Sequence, residues 1–233
     1  MGRRLMLLSI IIPVYNEELT IGNIIDRTLA VTAKIGFPAE IIVVDDHSRD
    51  NSLQMARQRR GVRVFSLREH LGKGYVLRAG FAKARGDIIV TIDSDGSHWP
   101  EELHEVLAPL LAGQVEMVIG SRYMNHKRVA ARKLNKFGVA IFNLLIHFLT
   151  GVAITDSQSG YRAMKREVLS KQELTSGTYE IESEMLVKTA KAGFQVGEVP
   201  ITFEQRTYGR SGVVPMVDGS KILFSIFMAH LKG

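Results

Sequence analysis

The chain has 233 residues, 45% hydrophobic and 23% charged, a composition that excludes both a disordered segment and a multi-span membrane protein. Without cysteine it can carry neither a disulfide framework nor a thiolate metal site, which fits a reducing compartment. Its formal charge of +6 attracts phosphates without choosing among nucleic acid, lipid headgroups and nucleotides. One domain is expected at this length.

In chain order, "RRLMLLSIIIP" sets arginines ahead of an apolar run as a secretory leader would. Pro13 ends that run early, no small-residue cleavage site follows, and a buried first strand is the better reading. Next comes a helix over 20–35, with Thr20 as N-cap and Ile21, Ile24, Ile25, Thr28 and Leu29 on one face. Short runs rich in Ile and Val then alternate with helical patterns: "EIIVVDD", 48–60, "VRVFSL", 73–85, "DIIVTIDSD", 100–112 and "VEMVIGSR". Continuous apolar runs mark strands covered on both faces, so the expected class is α/β with a mainly parallel, Rossmann-like sheet and helices on both faces. After Arg122 the pattern changes to a basic loop, an apolar helix over 134–149, and "TDSQSGYRAMKR".

In open α/β sheets ligands sit beyond the carboxyl ends of the strands, and the unusual polar clusters fall there. "PVYNEE", "DDHSRD", "REHLGKG", "DSDGSH" and "GSRY" follow the five strands in turn. Asp93 and Asp95, side by side in one loop, need positive charge nearby, and a hard divalent cation shared with a substrate diphosphate would supply it. Taken alone, D-x-D is more often a turn or an N-cap. Asp45 and Asp46 close the second strand, where one acid suits ribose or base contacts and the other helix capping. "GKG" around Lys73 offers flexibility and a cation but is not a Walker A loop.

Taken together, "IIIPVYNEE", "IIVVDDHSRD", "GKGYVLRAGFAKARGD", "IDSDGSHWPEEL", "VIGSRY", "TDSQSGYRAM" and "RTYGRSG" cover nearly the whole chain in order. The set resembles the family 2 glycosyltransferases of GT-A fold, and within them the polyprenyl-phosphate (dolichyl-phosphate) mannose synthases. The resemblance implies a single GT-A domain over 1–233. Within it, 1–122 would bind nucleotide sugar, 123–215 the acceptor, and 216–233 would form an amphipathic helix.

The resemblance also implies an inverting transfer of a hexose, mannose from GDP-mannose above all, to a polyprenyl or dolichyl phosphate with Mg²⁺ or Mn²⁺. By position, Pro13, Tyr15, Glu17, Val44 and Asp46 would hold the nucleoside, with Lys73, Ser94, Arg122 and Arg206 completing the donor site. Asp93, Asp95, Arg122 and Arg206 would be the catalytic groups. Asp93 and Asp95 would meet the metal, with Ser97 where some relatives carry a glutamine. Arg122, Arg132, Lys136 and Ser211 would receive the acceptor phosphate. His70 stands where many relatives carry asparagine, and it is assigned no role. For Gly160, Arg162, Glu182 and Glu184, structural ion pairing competes evenly with substrate contact.

Two segments, 134–149 and the C-terminal stretch, carry one polar stripe each: Lys136, Asn143 and His147, then Asp218, Lys221, Ser225 and Lys232. The first is too short and interrupted to span a bilayer, which needs about 20 apolar residues. Both read as interfacial helices, or as cover for the sheet or a partner. The implied location is the cytoplasmic face of a membrane, peripherally, with basic residues over 128–136 approaching an anionic surface. No anchor is expected within the chain, which leaves room for a separate membrane-anchoring subunit.

UDP-glucose is the rival donor, and a catalytically inactive membrane-associated nucleotide-binding module is the rival class. A dinucleotide oxidoreductase would need G-x-G-x-x-G after the first strand, where "PVYNEE" stands. Nucleic acid is excluded by the lack of a basic stripe interleaved with aromatics.

Overall fold

The computed structural model describes residues 6–124, 133–204 and 215–232. Seven strands form one sheet: β1 (Leu8–Val14), β2 (Ala39–Asp45), β3 (Val62–Ser66), β4 (Ile88–Thr91), β5 (Met117–Ser121), β6 (Arg162–Lys165) and β7 (Val196–Pro200). Their spatial order is β3-β2-β1-β4-β6-β5-β7. All neighbours run parallel except β6, which lies antiparallel between β4 and β5. The mainly parallel α/β class expected from the apolar runs is therefore the class observed. β6 and β7 lie outside those runs, because "RAMK" and "VGEVP" lack a long Ile/Val signature.

Every residue of β1 is buried, and the period of two explains how one apolar run serves two cores. Ile10 and Ile12 pack on one face against α1 (Ile21–Thr32) and later against α4 (Leu103–Leu111). Between these in sequence lie α2 (Ser52–Arg57) and α3 (Lys73–Lys83). Ile11 points to the opposite face, where Val76 and Leu77 of α3 meet it. Four later helices follow: α5 (Lys133–Thr150), α6 (Arg166–Ser170), α7 (Ile181–Lys191) and α8 (Pro215–Lys232). Met185 and Leu186 of α7, Ile146 of α5 and Ile222 and Ile226 of α8 complete the core beneath Ile11.

Two local expectations change. Thr20 precedes α1 but does not cap it through its side chain; its hydroxyl donates to the Glu17 backbone oxygen and carboxylate instead. The polar stripe on α8 is split: Asp218 is buried and the Ser225 hydroxyl lies 3.1 Å from that of Ser176, while Lys221 is half-exposed. Besides Ser220 and Lys221, α8 exposes the apolar Val217, Leu223, Phe224, Phe227 and Leu231. On α5 the exposed side chains include Phe137, Ile141, Leu144 and Phe148. Among the described residues no helix is long and apolar enough to cross a membrane.

Arg162 opens β6 with a fully buried guanidinium. Its Nε donates to Ser159 O, Nη1 to Glu182 O and Nη2 to Ser157 O, so one side chain closes three carbonyls around the sheet's reversed strand. Burial lowers this group to about 10, although Glu182 and Asp156 pull the other way. Arg162→Leu would strand those carbonyls and is expected to cost about 3 kcal/mol or more in urea unfolding. Lys165→Leu, which loses only a half-exposed pair with Glu116, is expected to cost under about 1 kcal/mol in the same measurement.

Candidate active site

Strand order reverses around β1, so the carboxyl ends of β1, β2 and β4 meet in one crevice. Each end carries a polar loop, and the loops are stitched together. Ser94 Oγ donates to Pro13 O at 2.7 Å, tying the loop after β4 to β1. Asp45 accepts from the Ser48 amide and from Ser66 Oγ; the helix capping expected of one of the two acids does not occur there, because α2 starts only at Ser52 with Asn51 before it. Asp46 accepts from the amides of Leu71 and Gly72 at 2.9 and 2.8 Å, and His70 Nδ1 lies 2.8 Å from the same carboxylate. The His70 ring stacks on Tyr15 with centroids 3.9 Å apart. His70, left without a role by its spacing, thus joins the ends of β1, β2 and β3.

That loop leads into α3, whose first residue is Lys73. Gly72 has φ +103°, where side chains are strained, and a Cβ on Gly74 would lie 2.3 Å from the Ser176 carbonyl oxygen. The glycines of "GKG" therefore let α3 seat against 176–178, where the amides of Gly74 and Tyr75 donate to Gly177 O. This seat aims Lys73 at the acids: its Nζ lies 2.7 Å from Asp93 Oδ1 and 2.7 Å from Glu182 Oε1.

Asp93 is paired through Oδ1, while Oδ2 faces close packing. A Cβ on Gly160 would sit 2.3 Å from Oδ2, and His98 Nδ1 is 3.7 Å from that atom. Burial alone would push the Asp93 carboxyl up, but Lys73, then His98 and Arg122, hold it down at about 2. Burial works against the Lys73 ammonium too, and Asp93 and Glu182 overcome it and raise the group above its ordinary value. Burial lowers the His98 imidazole against the pull of Asp93 and Asp95. Asp95 differs from its neighbour: its Oδ1 accepts from the amide and hydroxyl of Ser97, and no basic side chain pairs with it among the described residues.

Arg122, just past β5, forks onto Asp156 through Nε at 2.6 Å and Nη2 at 2.7 Å. Asp156 is fully buried, and its charge raises the guanidinium despite the opposing burial, so Arg122 stays a cation with Nη1 outside the fork. It lies near the Tyr123 and Phe203 rings. Glu17 is buried at the foot of α1, and the Val44 side chain packs in the core rather than in the crevice. Arg132, Arg206 and Ser211 lie outside the described residues, as does the side chain of Lys136 within α5. Glu182 and Asp156 are partners that spacing did not reveal, since each is brought to its cation only by the fold. Glu184 pairs with Lys188 and accepts the amides of Thr175 and Ser176, a structural task.

Residues 9–172 match the glycosyl transferase family 2 domain. The chain belongs to glycosyl transferase family 2. Within it, the chain is 35% identical over 231 residues to the polyprenol monophosphomannose synthase of Mycolicibacterium smegmatis, covering 94% of this chain and 83% of that one. It is 30% identical over 250 residues to the UDP-N-acetylglucosamine--dolichyl-phosphate N-acetylglucosaminyltransferase of Methanococcus voltae, covering 97% and 96%. The glucosyl-3-phosphoglycerate synthase of Mycobacterium tuberculosis, solved with Mn²⁺, UDP and phosphoglyceric acid, superposes with a TM-score of 0.77 at 23% identity, over 97% of this chain and 78% of that one. That likeness shows the GT-A fold.

Among the described residues no three His, Asp or Glu side chains converge as a metal cage. The donor set instead fits a cation that takes carboxylate oxygen from the Asp93–Asp95 loop and its remaining oxygens from a diphosphate. At about 2 when folded and about 3.9 when unfolded, the Asp93 carboxyl adds stability above about pH 4 and gives it up as the pH falls towards 2. Asp93→Asn is expected to remove about 2 kcal/mol of the acid-side loss of stability, seen as a flatter urea midpoint between about pH 5 and pH 2.5.

Proposed function

We propose that the chain transfers a hexose from a nucleoside diphosphate sugar to a polyprenyl phosphate, with GDP-mannose as donor and Mg²⁺ or Mn²⁺ as cofactor. The observation that carries the lipid acceptor is mechanical. The helices with the exposed apolar faces are tied to the loops that hold the site's cations. On α5, Asn143 Nδ2 donates to Thr155 O and its Oδ1 accepts from the Ser157 amide, on either side of the Asp156 that grips Arg122. On α8, Ser225 meets Ser176, next to the Gly177 carbonyl against which Lys73's helix begins. Phe148 at 84% exposure and Phe224 at 66% have no reason to face water, whereas a lipid surface would cover them.

In this reading Tyr15 and the Asp46–His70 cluster border the nucleoside, and Lys73 and Asp95 meet the diphosphate. Arg122 is held rigid by Asp156, which suits it to stabilise charge that develops on the leaving group. A divalent cation would neutralise diphosphate oxygens as the sugar leaves. An acceptor phosphate is already anionic near neutral pH, so a dedicated base is unnecessary. Attack opposite the leaving group would invert the anomeric centre. Arg206, Arg132, Lys136 and Ser211 belong to this proposal as the remaining phosphate contacts. A location on the cytoplasmic face of a membrane, with or without a separate anchoring subunit, belongs to it as well.

A UDP-sugar donor is the second reading, and the archaeal N-acetylglucosaminyltransferase among the relatives favours it. Incubation with GDP-mannose or UDP-sugars, Mn²⁺ and a polyprenyl phosphate, read by product mass, decides between them. A glycolipid carrying mannose is expected, and no glycolipid from any donor would defeat the reading. Asp95→Ala is expected to lower kcat by about 100-fold or more. The paired change Phe148→Asp with Phe224→Asp is expected to abolish liposome sedimentation while leaving the thermal shift with GDP intact.

A further inference from the structure

The two carboxylates that end β4 are not equivalent. Asp93 is already neutralised from within the protein: Lys73 Nζ bridges it to Glu182, both at 2.7 Å. The lysine side chain is 16% exposed and that of Glu182 4%, so this bridge lies inside the wall of the crevice. Behind it, the buried Arg162 guanidinium spends its three donor nitrogens on carbonyls and adds its charge to the cluster. Lys73 pairs with Asp93 and Glu182, Arg122 pairs with Asp156, and Arg162 attracts these acids through space without contacting them. Among the described residues, Asp95 has no basic side chain paired with it. A divalent cation arriving alone would meet Asp95 and, beside it, an ammonium already 2.7 Å from Asp93 Oδ1.

We infer that Lys73 is a resident counter-ion that keeps Asp93 from binding a divalent cation until a nucleoside diphosphate arrives. The inference rests on the proposed use of the crevice for a nucleotide sugar and cation. The diphosphate supplies the anionic oxygens the cluster lacks and gives the Lys73 ammonium a second oxyanion to pair with. The lysine stem can make that exchange without moving the backbone, which Gly74 locks against the Ser176 carbonyl. Cation and nucleotide then bind cooperatively, each raising the affinity of the other by the same factor.

Electron paramagnetic resonance of free Mn²⁺, titrated into the full chain with and without GDP or UDP, tests this. For wild type, Mn²⁺ affinity is expected to rise about tenfold or more when either nucleotide is present. Lys73→Met is expected to bind Mn²⁺ alone about tenfold more tightly than wild type, with the nucleotide effect reduced by the same factor. Because Lys73→Met strands the buried Glu182, Lys73→Met with Glu182→Gln is measured beside it and is expected to behave alike. Equal Mn²⁺ affinity with and without nucleotide in wild type would overturn the inference. So would variants that fold, by near-ultraviolet circular dichroism, yet bind Mn²⁺ alone no better than wild type. Failure of the transfer reading looks different: Mn²⁺ and nucleotide remain coupled, but no glycolipid forms.

Discussion

Both faces of the sheet are covered by helices, so charge can gather only where the strands stop. β1 shows the constraint most plainly, with every residue buried and polar chemistry beginning directly after Val14. β2 and β4 obey it too, and the reversal of strand order at β1 turns three separate strand ends into one crevice. The acids of this protein are concentrated by topology, and their mutual repulsion is a problem the remaining structure has to answer.

It answers with cations brought from elsewhere in the chain. Lys73 comes from the head of α3, Arg162 from the antiparallel strand and Arg122 from the end of β5. Each is fixed by contacts that have nothing to do with ligands: Gly74 against Ser176, Arg162 on three carbonyls, Arg122 on a buried carboxylate. Such a site is preorganised, with its charges set before any substrate enters, which is the condition under which electrostatic stabilisation is most effective.

Much of the architecture was legible in the sequence because it depends on local pattern. Runs such as "SIIIPV" and "EIIVVDD" can only be doubly covered strands, and the position of Asp93 and Asp95 at the end of "DIIVTI" marked the crevice. The family resemblance was legible as well, from motifs in order along most of the chain. What spacing could not convey was pairing across the fold. For Glu182 and Glu184 the sequence left ion pairing and substrate contact evenly weighed, and only the fold shows that both turn inward, one onto Lys73 and the other onto Lys188. His70 had no expected role, because its stack on Tyr15 exists only once β1 and the loop after β3 are neighbours. The stripe on α8 misled for a related reason. Period alone identifies a polar face, but contact with Ser176 decides that Ser225 looks inward and Phe224 outward.

The bridge made by Lys73 also bears on how such a protein can diverge. Its three members come from distant parts of the chain, and loss of the lysine leaves two desolvated carboxylates side by side, whereas loss of either carboxylate leaves the lysine paired with the other. Drift at the lysine is therefore not stepwise. A lineage that abandons the lysine must abandon a carboxylate in the same stroke or acquire another cation first, so the lysine should be the last of the three to change.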